Sequence, residues 1–196
     1  MKKCTHIVSL VLLGALASAP SWSTAQGRPD PAALLSAQRQ ALSVLAFMDG
    51  VWRGTGWTLR PNGEKHTVTQ TERIGPFLDG AVKVIEGRGY GADGKLSFNA
   101  FGTISYDPAT KAYSMRSHAM GRAGDFELLP NASGFVWTVP AGPQMTIRYT
   151  AVVKDGVWHE VGDRLVAGGE PARVFEMTLQ RVGDTDWPSA GAIGPP

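Results

Sequence analysis

The stretch Gly50-Val51-Trp52-Arg53-Gly54-Thr55-Gly56 divides the chain into two textures. Before it, Leu34, Leu35, Gln38, Leu42 and Leu45 recur at helical spacing behind Asp30-Pro31. Asp can cap the open amides of a helix and Pro suits its first turn, so the spacing predicts one amphipathic helix over 31–47. After it, short runs rich in Val, Thr, Tyr, Phe and Trp alternate with turn residues, and no second helical stripe follows. Strands are expected at 51–59, 65–74, 79–88, 96–105, 112–120, 123–129, 134–139, 144–153, 157–166 and 172–182. The breaks carry turn chemistry: Pro61-Asn62-Gly63, Asp79-Gly80, Asp93-Gly94, Asp107-Pro108, Pro130-Asn131, Ala141-Gly142-Pro143, Asp155-Gly156 and Gly168-Gly169. About ten strands at such close spacing imply a sandwich or a barrel, and closure has the advantage of removing exposed edges. The expected fold is therefore all-β: one antiparallel up-and-down barrel over 50–182, with a single N-terminal helix as its cap. The alternation is clearest in Leu96, Phe98, Ala100, Gly102, Ile104 and Tyr106, and in Met145, Ile147, Tyr149, Ala151 and Val153. Residues 183–196, with Trp187-Pro188 and Gly194-Pro195-Pro196, read as a disordered tail.

Residues 1–25 read as a secretory signal peptide. Lys2 and Lys3 precede an apolar run from Ile7 to Ala19, and Ser23-Thr24-Ala25 supplies small residues for cleavage after Ala25. A membrane helix needs about 20 apolar residues, and this run is shorter and ends at Pro20. Cys4 lies before the run, where it does not suit lipidation. Removing 25 of the 196 residues leaves 171, enough for one domain, with a lead-in and helix at 26–49. Lys2 and Lys3 leave with the leader, so 17 basic residues then balance 17 acidic ones. A neutral surface without Lys/Arg clusters argues against nucleic acid as a partner. The sole cysteine is lost too, which excludes disulfides, thiol catalysis and thiolate metal sites from the mature domain. A periplasmic or secreted location is the expectation.

The Gly-x-Trp opening of the first strand resembles the calycin superfamily of lipocalins, fatty-acid-binding proteins and their bacterial relatives. Its extended form, Gly-x-Trp-x-Gly-x-Gly, looks like nitrobindin-type barrels. Leu78-Asp79-Gly80, the segment Tyr106-Asp107-Pro108-Ala109-Thr110-Lys111-Ala112-Tyr113 and the closing Met177-Thr178-Leu179-Gln180-Arg181 resemble the bacterial lipocalin-like family called domain of unknown function 1579. The resemblance spans about residues 42–182 and implies a ligand-holding barrel. Within it, Trp52 would plug the closed end, with Arg181 of the last strand stacked on its ring as a cation–π pair. Gly54 and Gly56 share the Trp52 face, where missing side chains mark either a tight bend of the strand or the close approach of a flat ligand. Haem, the ligand of nitrobindin-like barrels, is disfavoured, because the last strand from Ala172 to Val182 contains no histidine. His66, His118 and His159 fall on three separate strands with no metal-ligand spacing, so no metal site is expected.

No nucleophile elbow, phosphate loop or His-Glu-x-x-His motif is present, and no catalytic residue is assigned. Glu72, Glu86, Arg116, His118, Arg148, Glu160 and Glu176 form a thin polar set within β segments, and any that point inward could orient a ligand's polar group. The candidate ligand-binding residues are Trp52, Gly54, Gly56, Glu72, His118, Arg148, Tyr149 and Arg181. The leading reading is an exported barrel that binds a small apolar or amphipathic molecule, without a membrane span or a cofactor. Two other readings stay open: a barrel enzyme (isomerase, cyclase or hydrolase) using an inward carboxylate or histidine, and a solid barrel acting as an interaction protein. Mass spectrometry of the protein exported with its own leader is expected to show an unlipidated chain beginning at Gln26. A different start or an acyl adduct overturns the leader assignment.

Overall fold

A computed structural model describes residues 29–191 and 193; the expected leader lies outside them. Helix α1 (Pro31–Ser43) begins where Asp30 caps it, its carboxylate accepting a hydrogen bond from the Ala32 amide at 3.1 Å. Ten antiparallel strands follow: β1 (Gly50–Leu59), β2 (Lys65–Phe77), β3 (Val82–Tyr90), β4 (Leu96–Asp107), β5 (Ala112–Ala119), β6 (Arg122–Asn131), β7 (Gly134–Gly142), β8 (Met145–Lys154), β9 (Val157–Val166) and β10 (Ala172–Gly183). Each pairs with its sequence neighbours, and β10 pairs back onto β1, so the sheet is a closed up-and-down barrel. The expected fold class is the observed one. Turn chemistry sets the hairpins: Asp155 (φ 53°) and Gly156 (φ 75°) both adopt the left-handed backbone that a two-residue β8–β9 hairpin needs.

Three expectations need correction. The third strand starts at Val82 rather than residue 79, because Leu78-Asp79-Gly80 forms a 3-10 turn with Leu78 and Asp79 at φ 50° and 54°, which no strand ladder continues. The helix ends at Ser43. A separate 3-10 turn, Ala46–Met48, then swings Leu45 and Met48 into the barrel end while Leu35, counted on the apolar stripe, stays 41% exposed. Residues 184–191, expected as a disordered tail, lie against β2. There the Arg73 guanidinium stacks on the Trp187 ring at 4.4 Å, and the Ser189 hydroxyl donates to the Pro76 carbonyl at 3.4 Å.

The end of the barrel nearest α1 is packed solid. Leu42, Leu45 and Met48 meet Trp52, Ile74, Ile104, Leu128 and Leu179, all fully or almost fully buried. Helix and barrel are also tied by polar contacts: the Tyr113 hydroxyl donates to the Ala41 carbonyl at 2.9 Å, and Arg39 pairs with Asp79 at 3.0 Å. Lys83, a buried lysine, is neutralised by Asp49. Trp52 is the plug that its sequence position suggests. Its indole N–H donates to the Met48 carbonyl at 2.8 Å, and its ring meets Trp158 edge-on at 5.7 Å. Arg181 is its cross-strand partner in the β1–β10 ladder, yet the expected cation–π stack is replaced. The guanidinium donates to the Asp49 carbonyl at 3.2 Å and pairs with Asp184, which binds β10 to the chain leading into β1.

Trp52→Ala is expected to cost about 3–5 kcal/mol in denaturant unfolding, because it opens a cavity among buried residues at the closed end of the barrel. Combined with Trp158→Ala, the loss should fall short of the two single losses summed by at least about 0.5 kcal/mol. Strict additivity means that the two rings are not partners.

Candidate functional site in the barrel lumen

Strand alternation sends every second side chain of a closed barrel inward. On β2 the inward set is Gln70, Glu72 and Ile74, and on β9 it is Trp158, Glu160 and Gly162. Two glutamates are thereby placed inside a mostly apolar core, 8% and 5% exposed respectively. Glu72 accepts a hydrogen bond from the Gln70 amide at 2.6 Å through Oε1, and its carboxyl group lies over Gly87 of β3. A Cβ at position 87 would stand 2.8 Å from both carboxyl oxygens, so the missing side chain is what makes room for the acid. Glu160 accepts from two indoles, Trp137 at 3.0 Å on Oε1 and Trp158 at 3.2 Å on Oε2.

Neither glutamate has a cationic partner among the described residues: Arg73, Glu86 and Arg88 pair on the opposite face of β2 and β3, and Lys83, on the inward phase of β3, pairs with Asp49 at the closed end. Burial, reinforced by the charges of Glu160 and Glu86, pushes the Glu72 carboxyl up to about 8 despite the Gln70 hydrogen bond. Burial likewise raises Glu160 to about 7 against its two indole donors. Both acids therefore exchange protons near neutrality.

Beyond the acids the lumen changes character. Phe98, Phe126, Trp137, Tyr149 and Phe175 share the inward face but are only half-buried, in contrast to the sealed residues beside α1. Trp137 stacks on Tyr149 at 4.3 Å and 14°, Phe126 tilts against Trp137 at 5.6 Å, and Phe175 meets Tyr149 edge-on at 5.5 Å. Their rings form an aromatic wall that leads from the open end to Glu160. Burial and the Glu160 charge push the Tyr149 hydroxyl up to about 12, which keeps it a neutral donor.

The sequence candidates divide accordingly. Trp52, Glu72 and Tyr149 are inside the barrel, and so is Glu160 from the wider polar set. His118 and Arg148 are exposed on the outer wall, so their assignment to the lumen is corrected: each is one residue out of phase with an inward neighbour, Ser117 and Tyr149. Arg116 pairs with Asp125 and Glu176 with His159, both outside. Arg181 serves the closed end. Gly54 and Gly56 face inward, but their space is taken by the protein itself. A Cβ at position 54 would overlap the Thr178 carbonyl oxygen, and one at position 56 would stand 3.3 Å from Met177 Cβ. Trp137 and Phe175, which the candidate set omitted, belong to the site; their two-residue alternation with Phe135 and Met177 was the available signal.

No group of three or more His, Cys, Asp or Glu among the described residues is arranged to hold a metal. No helix among them is long and apolar enough to cross a membrane. A surface hollow of about 340 Å³ opens on the rim at the β5–β6 turn, between Phe101, His118 and Arg122, but neither acid lines it. Chemistry, not volume, marks the lumen.

No protein-family model and no curated protein matches the chain. Among solved structures, Rv2717c from M. tuberculosis is similar, with a TM-score of 0.54 at 11% identity, covering 72% of this chain and 96% of that one. At that identity the likeness concerns the barrel fold alone.

The raised acids have a consequence for stability. Each holds its proton in the folded state well above the pH at which the unfolded chain loses it, so the contribution of these two acids to stability is full below about pH 4 and is lost as pH rises toward 8. Glu72→Gln, which keeps the contact with Gln70, is expected to flatten that fall and to stabilise the protein at pH 8–9 by about 1–3 kcal/mol relative to the parent. Urea melts of both proteins at pH 5 and pH 8.5 check this; parallel pH curves contradict it.

Proposed function

We propose that this protein is an exported, lipocalin-like barrel that binds a small apolar or amphipathic molecule through the end opposite α1. The observation that carries this reading is the half-buried aromatic wall of Phe126, Trp137, Tyr149 and Phe175 above a fully buried pair of acids. Binding sites of small molecules are mostly apolar concavities with a few convergent polar groups, and this lumen has that composition. A solid barrel would seal those rings as it seals Trp52. The likeness to Rv2717c supports the barrel, and the resemblance to the bacterial lipocalin-like family supports ligand holding. The basic, apolar, small-residue pattern of residues 1–25 supports export.

One observation favours a second reading, a general acid–base enzyme: Glu72 and Glu160 titrate where a catalytic acid would be poised. Nothing beside them among the described residues is a nucleophile, and binding is the function that needs fewest additional parts.

Titration with the neutral probe N-phenyl-1-naphthylamine is expected to give saturable fluorescence with energy transfer from Trp137. Phe175→Ala should weaken the probe by about tenfold, which corresponds to about 1.4 kcal/mol. Absence of saturable binding, or binding indifferent to Phe175→Ala, contradicts a lumenal site.

A further inference from the structure

We infer that the lumen selects an organic cation: an amine or quaternary ammonium with an apolar tail, its charged head between Glu72 and Glu160 and against the faces of Trp137 and Tyr149. This rests on the binding reading above and names the ligand class for the same site. Three N–H donors, from Gln70, Trp137 and Trp158, point at the two carboxyl groups, and none of them carries charge. Glu160 accepts on both oxygens, an arrangement that suits a carboxylate rather than a protonated acid. The surroundings therefore prepare negative charge in the barrel without supplying the positive charge that buried carboxylates require. Glu72 Oε2 accepts no hydrogen bond among the described residues and is not one of the unpartnered side-chain atoms sealed from solvent, so an entering group can reach it.

The cations nearest in the fold are committed or distant. Lys83 pairs with Asp49 and Arg181 with Asp184 at the closed end, while Arg73 and Arg88 pair with Glu86 on the outer wall. Arg164 of β9 and Arg122 of β6 are exposed at the open rim on the inward phase, and His66, on the inward phase of β2, contacts Arg60 at 2.8 Å. Tyr149 beside Glu160 is neutral. A ligand carboxylate in the same place would add a third acid to a site that already has two unpaired. An ammonium would neutralise the pair and lie on the π faces of a stacked Trp–Tyr couple, a combination that favours quaternary and alkyl ammonium groups.

Three probes with one chain length test this by calorimetry: decyltrimethylammonium, decanol and decanoate, below their aggregation concentrations, at pH 6 and pH 8. The quaternary ammonium does not titrate, so any pH dependence belongs to the protein. Its affinity is expected to exceed that of the other two at pH 8. Between pH 8 and pH 6 it should fall at least about tenfold, as the fraction of ionised, binding-competent protein falls. Glu72→Gln, with folding verified by circular dichroism, should lower the ammonium's affinity at pH 8 at least fivefold more than decanol's. Tighter binding of decanol or decanoate than of the ammonium overturns the cation assignment while leaving the binding barrel standing. So does an ammonium affinity unmoved by pH or by Glu72→Gln. If none of the three chains binds, the binding reading itself falls and the cation assignment falls with it.

Discussion

Everything inside this protein depends on the closure of β1 onto β10. The two strands run side by side from Val51 opposite Gly183 to Thr58 opposite Phe175, and the approach is so tight at Gly54 that a Cβ would overlap the Thr178 carbonyl. Only glycine permits that ladder. Once the ladder closes, no edge remains, and the two-residue period of each strand becomes a strict division between wall and lumen. Arg181 reinforces the seam at one end by holding the Asp49 carbonyl just before β1 begins.

Closure also explains how two glutamates come to be buried. Each lies in register with apolar or small inward neighbours, Glu72 beside Trp52 and Gly87 and Glu160 beside Met177 and Ala151, so neither can turn to the outer wall without breaking alternation. The molecule tolerates them through three neutral donors and through protonation, not through ion pairs. On the outer wall the reverse holds. Burial opposes it, yet hydrogen bonds from Arg88 and Arg73 keep Glu86 below the usual carboxylate range. The His159 hydrogen bond does the same for Glu176. The same residue type thus has two behaviours, set by which face of a strand carries it.

The barrel was largely legible because its signals are local. Ten β runs, their turn residues and the Asp30-Pro31 helix start each depend on a few neighbouring residues, and all ten strands occur where the pattern places them to within a few residues at each end. The misses needed distant information. Asp79-Gly80 carries a turn signal, but how far the left-handed backbone extends and so where β3 begins is decided beside α1, and Trp187 reads as tail until Arg73 on β2 covers it. The site was half legible. Glu72 and Tyr149 stand out in the sequence, but His118 and Arg148 stand out equally, because polarity alone does not reveal phase. Counting alternation outward from Met115 and Tyr149 would have put both on the wall. Glu160 reads only as one of a polar set until Trp158-x-Glu160-x-Gly162 is taken as the phase that turns it inward.

The central claim is that Glu72 and Glu160 share the lumen without a counter-ion. Carbon-13 NMR of side-chain-carboxyl-labelled protein, titrated from pH 3 to pH 10 in the ligand-free state, tests it directly. Two glutamate carboxyl signals should move late, near pH 7 and pH 8, while those of Glu86 and Glu176 move below the ordinary range. If instead every glutamate carboxyl titrates at or below the ordinary value of about 4.3, the pair is hydrated or neutralised and the account of the lumen is wrong.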